Sequence, residues 1–341
     1  MRVSAERIHN RWHPDLEPVA TVRPGEEITL ETRDGLGDQL TRESSHSDAG
    51  RLELGLGHPL TGPVRIEGAE AGGVLEVQLL SYETADFGVT AVIPGFGMLA
   101  DLFPDPYLVK WEIADGIARA AELPGVAVPG NPFAGVIGVA PSLERMEMFR
   151  RREDALLAAG QRVADASPDT AIPRAAVAGL RTIPPRETGG NMNIRQLVAD
   201  SKLWLPIDVP GALLSIGDLH FAQGDGEVCG TGIEVAGAVT LRFDVHAVPA
   251  PAFPAYETPD LPARRSFATM GIPVDAGMDL NVAARAALLE MIGHLERRYG
   301  FERPAAYALC SAAVDLRISE AVDVPYPIVS ALLPLDIFES S

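Results

Sequence analysis

The stretch GPVRIEGAEAGGVLEVQLLSYE, residues 62–83, holds two strand patterns joined by a glycine-rich turn. Residues 19–34, VATVRPGEEITLETRD, use the same device, because apolar and polar residues alternate on both sides of a Pro-Gly turn. Short strands separated by such turns are typical of β-sandwiches and barrels, and not of alternating strand–helix units. These stretches therefore predict a predominantly β fold.

Two other segments carry helical patterns. Residues 142–166 form one, with a break expected at Gly160, and residues 281–299 form the clearer one. Asn281 is suited to cap the second helix and Gly300 to end it. We expect an α+β protein, predominantly β, with sandwich-like or barrel-like β lobes and a few helices. We divide the chain into an N-terminal β-rich lobe (1–141), a helix and long connecting loop (142–190) and a C-terminal β-rich lobe (191–341), with one intertwined domain as the alternative.

The composition excludes several classes of protein. The 341 residues carry a formal net charge of −19, which argues against nucleic-acid and anionic-membrane partners because both require a basic face. The N-terminus lacks the apolar core of a signal peptide, and no apolar run reaches the roughly 18 residues of a membrane helix. The two cysteines, Cys229 and Cys310, form no C-x-x-C motif, so a disulfide framework or zinc knuckle is excluded. We therefore expect a soluble, cytoplasmic protein.

The stretch GDLHFAQGDGEVCG, residues 217–230, concentrates groups that bind metals or transfer protons. If LLSIGDLHF is a strand, alternation places Asp218 and His220 on one face. The glycines that follow permit a turn that returns Asp225 and Glu227 toward them, and the next strand supplies Glu234. A histidine with several carboxylates suits zinc, manganese, iron or nickel, whereas calcium prefers oxygen ligands alone. The alternative interpretation is a pair of turns with solvated acidic side chains.

Cys229 offers a rival chemistry. A thiol nucleophile needs a neighbouring base, and His220 or Glu234 could provide one. The structural alternative is a small buried residue, and Cys310, within an apolar run, is expected in the core.

Two further stretches contain candidate side chains. In ETGGNMNIRQL, residues 187–197, two glycines allow close approach of the backbone to a ligand, and Asn191 and Asn193 offer amide groups. Residues 43–63 contain His46, Asp48 and His58, each of which is more often an ordinary loop residue than a ligand.

Six blocks, read in order, resemble the acetamidase/formamidase family, of which the chain would be a divergent member. They extend over most of the sequence and read GPVRIEGAEAGGVLEVQLL, VIPGFGMLADLFPDPYLVKW, GVIGVAPS, TGGNMNI, PGALLSIGDLHFAQGDGEVCGTGIEV and AAVDLRISEAVDVP. The resemblance implies hydrolysis of a short-chain carboxamide to the acid and ammonia, a β-rich α+β fold, oligomers, and a metal ion in at least some members. The family pattern G-G-N-M-D has Asn193 in place of its aspartate here, and Gly232 stands where the family more often has alanine.

The leading hypothesis is a metal-dependent amidase with zinc as the first choice of ion, manganese, iron or nickel as alternatives, and calcium as a candidate structural ion. We assign metal binding to Asp218, His220 and Glu234, and catalysis to Glu234, Glu227 and Asp225. Substrate binding is assigned to Gly190, Asn191, Asn193 and Gln223, and further candidates are His46, Asp48 and Cys229. The expected partners are a small amide substrate and further copies of the chain, in a dimer or larger oligomer. The competing hypotheses are a thiol amidase using Cys229 and a non-catalytic ligand-binding β-sandwich.

Overall fold

The computed structural model describes residues 1–97, 104–122, 128–164, 167–223, 227, 229–259, 265–301 and 315–335. Two candidates from the sequence, Asp225 and Cys310, lie outside these residues. Every helix in the described part of the chain is too short or too polar to span a lipid bilayer.

Strands dominate the described residues, so the prediction of a predominantly β protein with few helices is confirmed. The strands are β1 Arg2–Val3, β2 Ile8–His9, β3 Arg11–Trp12, β4 Ala20–Val22, β5 Glu27–Thr32, β6 Leu60–Ile66, β7 Val74–Val92, β8 Tyr107–Ala114, β9 Ile117–Ala120, β10 Val128–Pro129, β11 Phe133–Val139, β12 Leu180–Arg181, β13 Gly189–Asn191, β14 Lys202–Pro206, β15 Leu214–His220, β16 Glu234–His246, β17 Ala255–Glu257, β18 Ser266–Gly271, β19 Asp315–Glu320 and β20 Ile328–Pro334. The helices are α1 His46–Ala49, α2 Leu143–Ala158 and α3 Leu280–Tyr299, with 3₁₀ turns at Leu54–Leu56, Pro168–Thr170 and Arg174–Ala176.

The stretch at residues 62–83 contributes most of β6 and the first half of β7, and the turn between them has left-handed glycines at Gly68 and Gly72. Strand β7 is 19 residues long and pairs antiparallel with β8, β14 and β16. Residues 74–79 at its start are mostly buried, because this part of the strand pairs with β14 on one edge and β16 on the other. All the strands named above except β3 and β12 belong to one sheet. The boundaries of the two expected lobes and of the connecting segment remain a prediction.

Strand β15 lies at the centre of this arrangement. It pairs with β11 along most of its length, with β6 on its other edge, and through His220 with Glu234 at the start of β16. Every one of its seven residues is buried, including two ionisable ones. A strand with partners on both edges can hold polar side chains only if they meet other polar groups.

The helices follow the sequence pattern closely, with differences at their ends. The hydroxyl of Ser142 accepts the Arg145 amide and begins α2, and the chain leaves the helix before Gly160, whose φ of 78° is left-handed. Helix α3 is capped by Asp279, whose carboxylate accepts two backbone amides, and not by the predicted Asn281, which lies in its first turn. Gly300 ends α3 in a left-handed conformation, as predicted.

Candidate metal centre

Three buried side chains from β15 and β16 meet at one point. His220 Nε2 lies 2.7 Å from Glu234 Oε1 and 3.9 Å from Asp218 Oδ1. Asp218, His220 and Glu234 each offer a ligand atom, and these atoms all lie within 4.8 Å of one another. The direct cause is strand register, because His220 and Glu234 are cross-strand partners.

Asp218 reaches the cluster by an irregular backbone. Its φ is 56°, in the left-handed region that non-glycine residues seldom adopt, whereas the sequence analysis assumed regular alternation along β15. The two side chains converge as expected, but a local distortion of the strand directs the aspartate. Strain of this kind is found at functional sites, where the surrounding packing holds it in place.

Two glycines that the sequence analysis did not single out leave room for the carboxylates. A Cβ on Gly35 would lie 1.8 Å from Asp218 Oδ1 and 2.7 Å from Glu234 Oε2. A Cβ on Gly135, in β11, would lie 2.3 Å from both Asp218 Oδ2 and Asn193 Oδ1. The sequence signal was only a glycine in each of DGLGD and FAGV, and its meaning depends on the three-dimensional contacts.

A second group of buried acids adjoins the first. Glu227 Oε1 lies 3.2 Å from His220 Nε2, and Glu227 also belongs to a cluster with Glu320 and Asp323. The Glu320 carboxylate accepts the backbone amides of Val322 and Asp323. Glu320 and Asp323 lie in the block AAVDLRISEAVDVP, on which the family resemblance partly rests, but no role was predicted for them from the sequence.

Amide side chains connect the two groups. Asn193 Nδ2 donates to Glu227 Oε2 at 2.8 Å, Gln223 Nε2 donates to the Asn193 carbonyl at 3.2 Å, and Asn191 Nδ2 donates to Asp323 Oδ2. The side-chain oxygens of all three amides are buried and have no hydrogen-bond partner within the described residues. Gly190 lies in β13, paired with Ile137. Three of the four predicted substrate-binding residues, Asn191, Asn193 and Gln223, are thus linked to the acids and carry unsatisfied side-chain oxygens, whereas Gly190 has neighbours in Trp12 and Pro184.

Electrostatics show the cost of burying these acids together. Burial raises the pKa of Glu234 to about 8, and burial together with the charge of Glu227 raises the pKa of Glu320 to about 8. Burial, then the charge of Glu320, raises the pKa of Asp323 well above its usual range. Burial alone would lower the pKa of His220, but the charges of Glu234 and Asp218 raise it well above its usual range. Cations or protons are therefore required to stabilise this cluster.

A cavity of about 460 Å³ opens onto the acids. Its lining includes Asn193, Asp218, Glu227 and Glu234. His58 also lines it, with Nε2 4.0 Å from Asp218 Oδ1. A ligand of small-molecule size can therefore reach the cluster.

The remaining candidates lie in other environments. His46 accepts the Leu108 amide at 3.0 Å and stacks on Tyr107, and Asp48 caps the short helix α1. The Cys229 thiol contacts Thr231 and the Ala91 carbonyl. Among the described residues, these contacts of the Cys229 thiol include no base that could activate it.

The donor set fits a divalent ion. Glu234 Oε2 is buried without a hydrogen-bond partner among the described residues, and it faces Asp218 across the position that Gly35 leaves open. One imidazole and two carboxylates, without thiolate, suit zinc, manganese, iron or nickel.

A buried histidine–carboxylate cluster that adjoins a cavity is an arrangement that can bind a divalent ion next to a small ligand. The chain belongs to the acetamidase/formamidase family, whose model matches residues 1–340, and it is therefore a hydrolase of the amidase class. The family resemblance carried by the six sequence blocks is confirmed.

Individual relatives match nearly the whole chain. The formamidase of Methylophilus methylotrophus is 34% identical in an alignment 372 residues long, gaps included, that covers 98% of this chain and 90% of that protein. The crystal structure of an acetamidase from Bacillus halodurans has a TM-score of 0.80 and 28% identity, and covers 99% of this chain and 98% of that chain. The structure of a gamma lactamase from Delftia acidovorans has a TM-score of 0.72 and 33% identity, and the match covers 98% of this chain and 90% of that chain.

Proposed function

We propose that this protein is a metal-dependent amidase that hydrolyses a linear carboxamide to the carboxylate and ammonia. One observation carries the proposal: Asp218, His220 and Glu234 offer ligand atoms within 4.8 Å of one another, buried at a cavity, in a member of an amidase family. Relatives named formamidase and acetamidase support a linear amide, and the gamma lactamase makes a cyclic amide the second candidate.

Asp218, His220 and Glu234 would hold the ion, with zinc as the first choice and manganese, iron or nickel as alternatives. When bound, such an ion supplies a Lewis acid and lowers the pKa of a water molecule. Glu320 and Asp323, which form an all-oxygen cluster with Glu227, are the candidate ligands of a structural calcium ion, and Glu227 would stay free for proton transfer.

The chain's own residues would then move the protons. Glu227, held by Asn193 at 2.8 Å and next to His220, would accept a proton from the attacking water and return it to the leaving nitrogen. Glu234 is the alternative base if it does not serve as a ligand, and Asp225 stays a prediction. The water oxygen bonds to the carbonyl carbon, the C–N bond breaks, and ammonia departs with the transferred proton.

The amide side chains would position the substrate. The free oxygen of Asn193 lies against Asp218, where it could accept a hydrogen bond from the substrate NH₂ group. Asn191, Gln223 and the Gly190 backbone would complete the wall behind it. Asparagine is a poor base, so Asn193 would bind and orient but would not transfer protons.

Two rival functions remain as outcomes of the test. A thiol amidase would depend on Cys229, whose contacts are a threonine and backbone carbonyls. A non-catalytic protein would bind an amide at the cavity and be stabilised by it without turnover. Assembly into a homo-oligomer and a cytoplasmic location remain parts of the proposal.

The deciding experiment measures metal content and ammonia release on the purified full-length protein. We expect near-stoichiometric metal, release of ammonia from formamide or acetamide, loss of activity with a chelator and recovery when metal is returned. The variant His220→Asn should lose metal and activity. His246→Asn is the matched control, since His246 also contacts a carboxylate, Glu76 at 2.9 Å, outside the cluster. Full activity of metal-free protein would contradict the proposal.

A further inference from the structure

The cavity at the candidate centre has an apolar side that the hydrolysis of formamide or acetamide does not require. Its volume of about 460 Å³ lies in the range of pockets that enclose drug-sized ligands, far above the size of a two-carbon amide. Leu36, Leu52, Ile93 and Phe96 line it, and all four belong to one hydrophobic cluster. The cavity therefore combines a wall of packed aliphatic and aromatic groups with a cluster of buried acids.

The chain connects the two sides directly at Gly35. The position of a Cβ on this residue lies 1.8 Å from Asp218 Oδ1, so its backbone rests against the candidate ligands. The next residue, Leu36, is already part of the apolar wall. If the carbonyl carbon of a bound amide lies at the acids, its acyl chain would therefore contact the Leu36 side chain about one residue's length away.

A second connection forms on the side of Phe96. Its ring packs on Gly230, where a Cβ would lie 2.2 Å from Phe96 Cδ1. The Gly230 amide donates to the Glu227 carbonyl at 2.7 Å, so the ring rests on the segment that carries a candidate base. The acids and the apolar wall of the cavity therefore adjoin each other at two places, Gly35 and Phe96.

The two arginines in the lining are held by the backbone. Arg162 donates to the Gly95 carbonyl and Arg181 to the Leu54 carbonyl, each at 2.9 Å. Arg162 is exposed, whereas the apolar wall contains buried Leu36 and Ile93. Burial of hydrocarbon on that wall is therefore the larger source of affinity for a neutral ligand.

Resting on the proposed function, we propose that the preferred substrate is a primary carboxamide with an apolar acyl chain longer than acetyl, bound along Leu36, Leu52, Ile93 and Phe96. The amide lies at the acids and the acyl chain follows the wall. Each methylene that moves from water onto the wall stabilises the bound state, and we expect this to raise kcat/KM by about fourfold.

The test is a chain-length series, from acetamide to hexanamide, assayed by ammonia release with the metal-loaded full-length protein. We expect kcat/KM to rise by about fourfold for each added methylene. The variant Leu52→Trp narrows the cavity from a half-buried position, so it should lower kcat/KM for hexanamide by about tenfold or more and flatten the rise of kcat/KM with chain length. Leu288→Trp, the same change at a half-buried leucine of α3, should not alter the chain-length dependence.

The outcomes separate this inference from the proposed function. Turnover of acetamide with no gain for longer chains would overturn the inference and leave the amidase proposal standing. A higher kcat/KM for succinamate than for pentanamide would also overturn it, because Arg162 would then select a carboxylate. If no amide is hydrolysed, calorimetry with straight-chain carboxylates decides: affinity that rises from acetate to hexanoate supports the apolar site, and constant affinity overturns it.

Discussion

Replacing Gly135 with alanine should disturb the candidate centre from the neighbouring strand β11. The added Cβ would lie 2.3 Å from Asp218 Oδ2 and Asn193 Oδ1, and 2.8 Å from His220 Cε1. Ordinary contact begins at 3.4 Å, so each oxygen must retreat by 3.4 minus 2.3 Å, or about 1 Å. Three residues of the centre would therefore shift, although none of them is changed chemically.

The expected effect on catalysis is larger than the effect on stability. A misplacement of about 1 Å in a catalytic arrangement costs on the order of 100-fold in rate. One extra methyl group in a packed interior costs about 1–3 kcal/mol of unfolding free energy, which a chain of this size can tolerate. We therefore expect a folded Gly135→Ala protein with kcat/KM lowered by about 100-fold and reduced metal content.

The assay compares ammonia release and metal content per folded chain, with circular dichroism and thermal unfolding to measure the folded fraction. The matched control is Gly271→Ala in β18, where the added Cβ would lie 2.4 Å from Ala283 O and Ala287 N, and its nearest atoms all belong to helix α3 and not to the candidate centre. It should lose stability and retain kcat/KM per folded molecule. Wild-type kcat/KM and metal content in a folded Gly135→Ala variant would refute the reasoning.

Three other predictions concern single groups. Asp218→Asn should weaken metal binding by more than about 100-fold, measured by competition with a chelator, and unchanged affinity would remove Asp218 from the ligand set. Cys229→Ser should keep kcat/KM within about twofold, whereas a loss of two orders of magnitude would favour the thiol mechanism. The third prediction concerns metal-free protein. Glu320 has a pKa of about 8 in the native state and 4.5 in the unfolded chain, so between these pH values only the native state keeps the proton. The free energy of unfolding should therefore fall as pH rises between these values, and Glu320→Gln should flatten that dependence in thermal melts; an unchanged slope would refute the assignment.

Local patterns in the sequence predicted the elements of the fold well. Alternation and glycine turns predicted the strands β4, β5, β6 and β7 but not their partners, since β4 pairs with β6 and β7 with β8, β14 and β16. The apolar stripe predicted α3 to within one residue. Caps were less predictable, because Asp279 and Asn281 are both capping residues and only the backbone geometry decides between them.

The candidate metal ligands were predicted because they are neighbours in the sequence, and Asn191 and Asn193 were predicted from a separate stretch. Asp218 and His220 share a strand, and Glu234 follows on the next one. Glu320 and Asp323 reach the acids from a segment about a hundred residues further along, and no spacing rule connects them to Glu227. The convergence depends on sheet register and on Gly35 and Gly135, whose role is to leave space. Such information lies in long-range pairing, and the local sequence does not contain it.

The pairing of β7 with β16 has a consequence for how the protein is made. Glu76 and His246, which meet across these strands, are 170 positions apart in the chain. During synthesis the long edge of β7 must wait for its partner, and the acids cannot assemble until residue 323 has left the ribosome. Folding with so many distant contacts is slow, and an unpaired strand edge is prone to associate with other chains. We therefore expect chaperones to raise the yield of soluble enzyme, and truncated chains that end before β16 to aggregate.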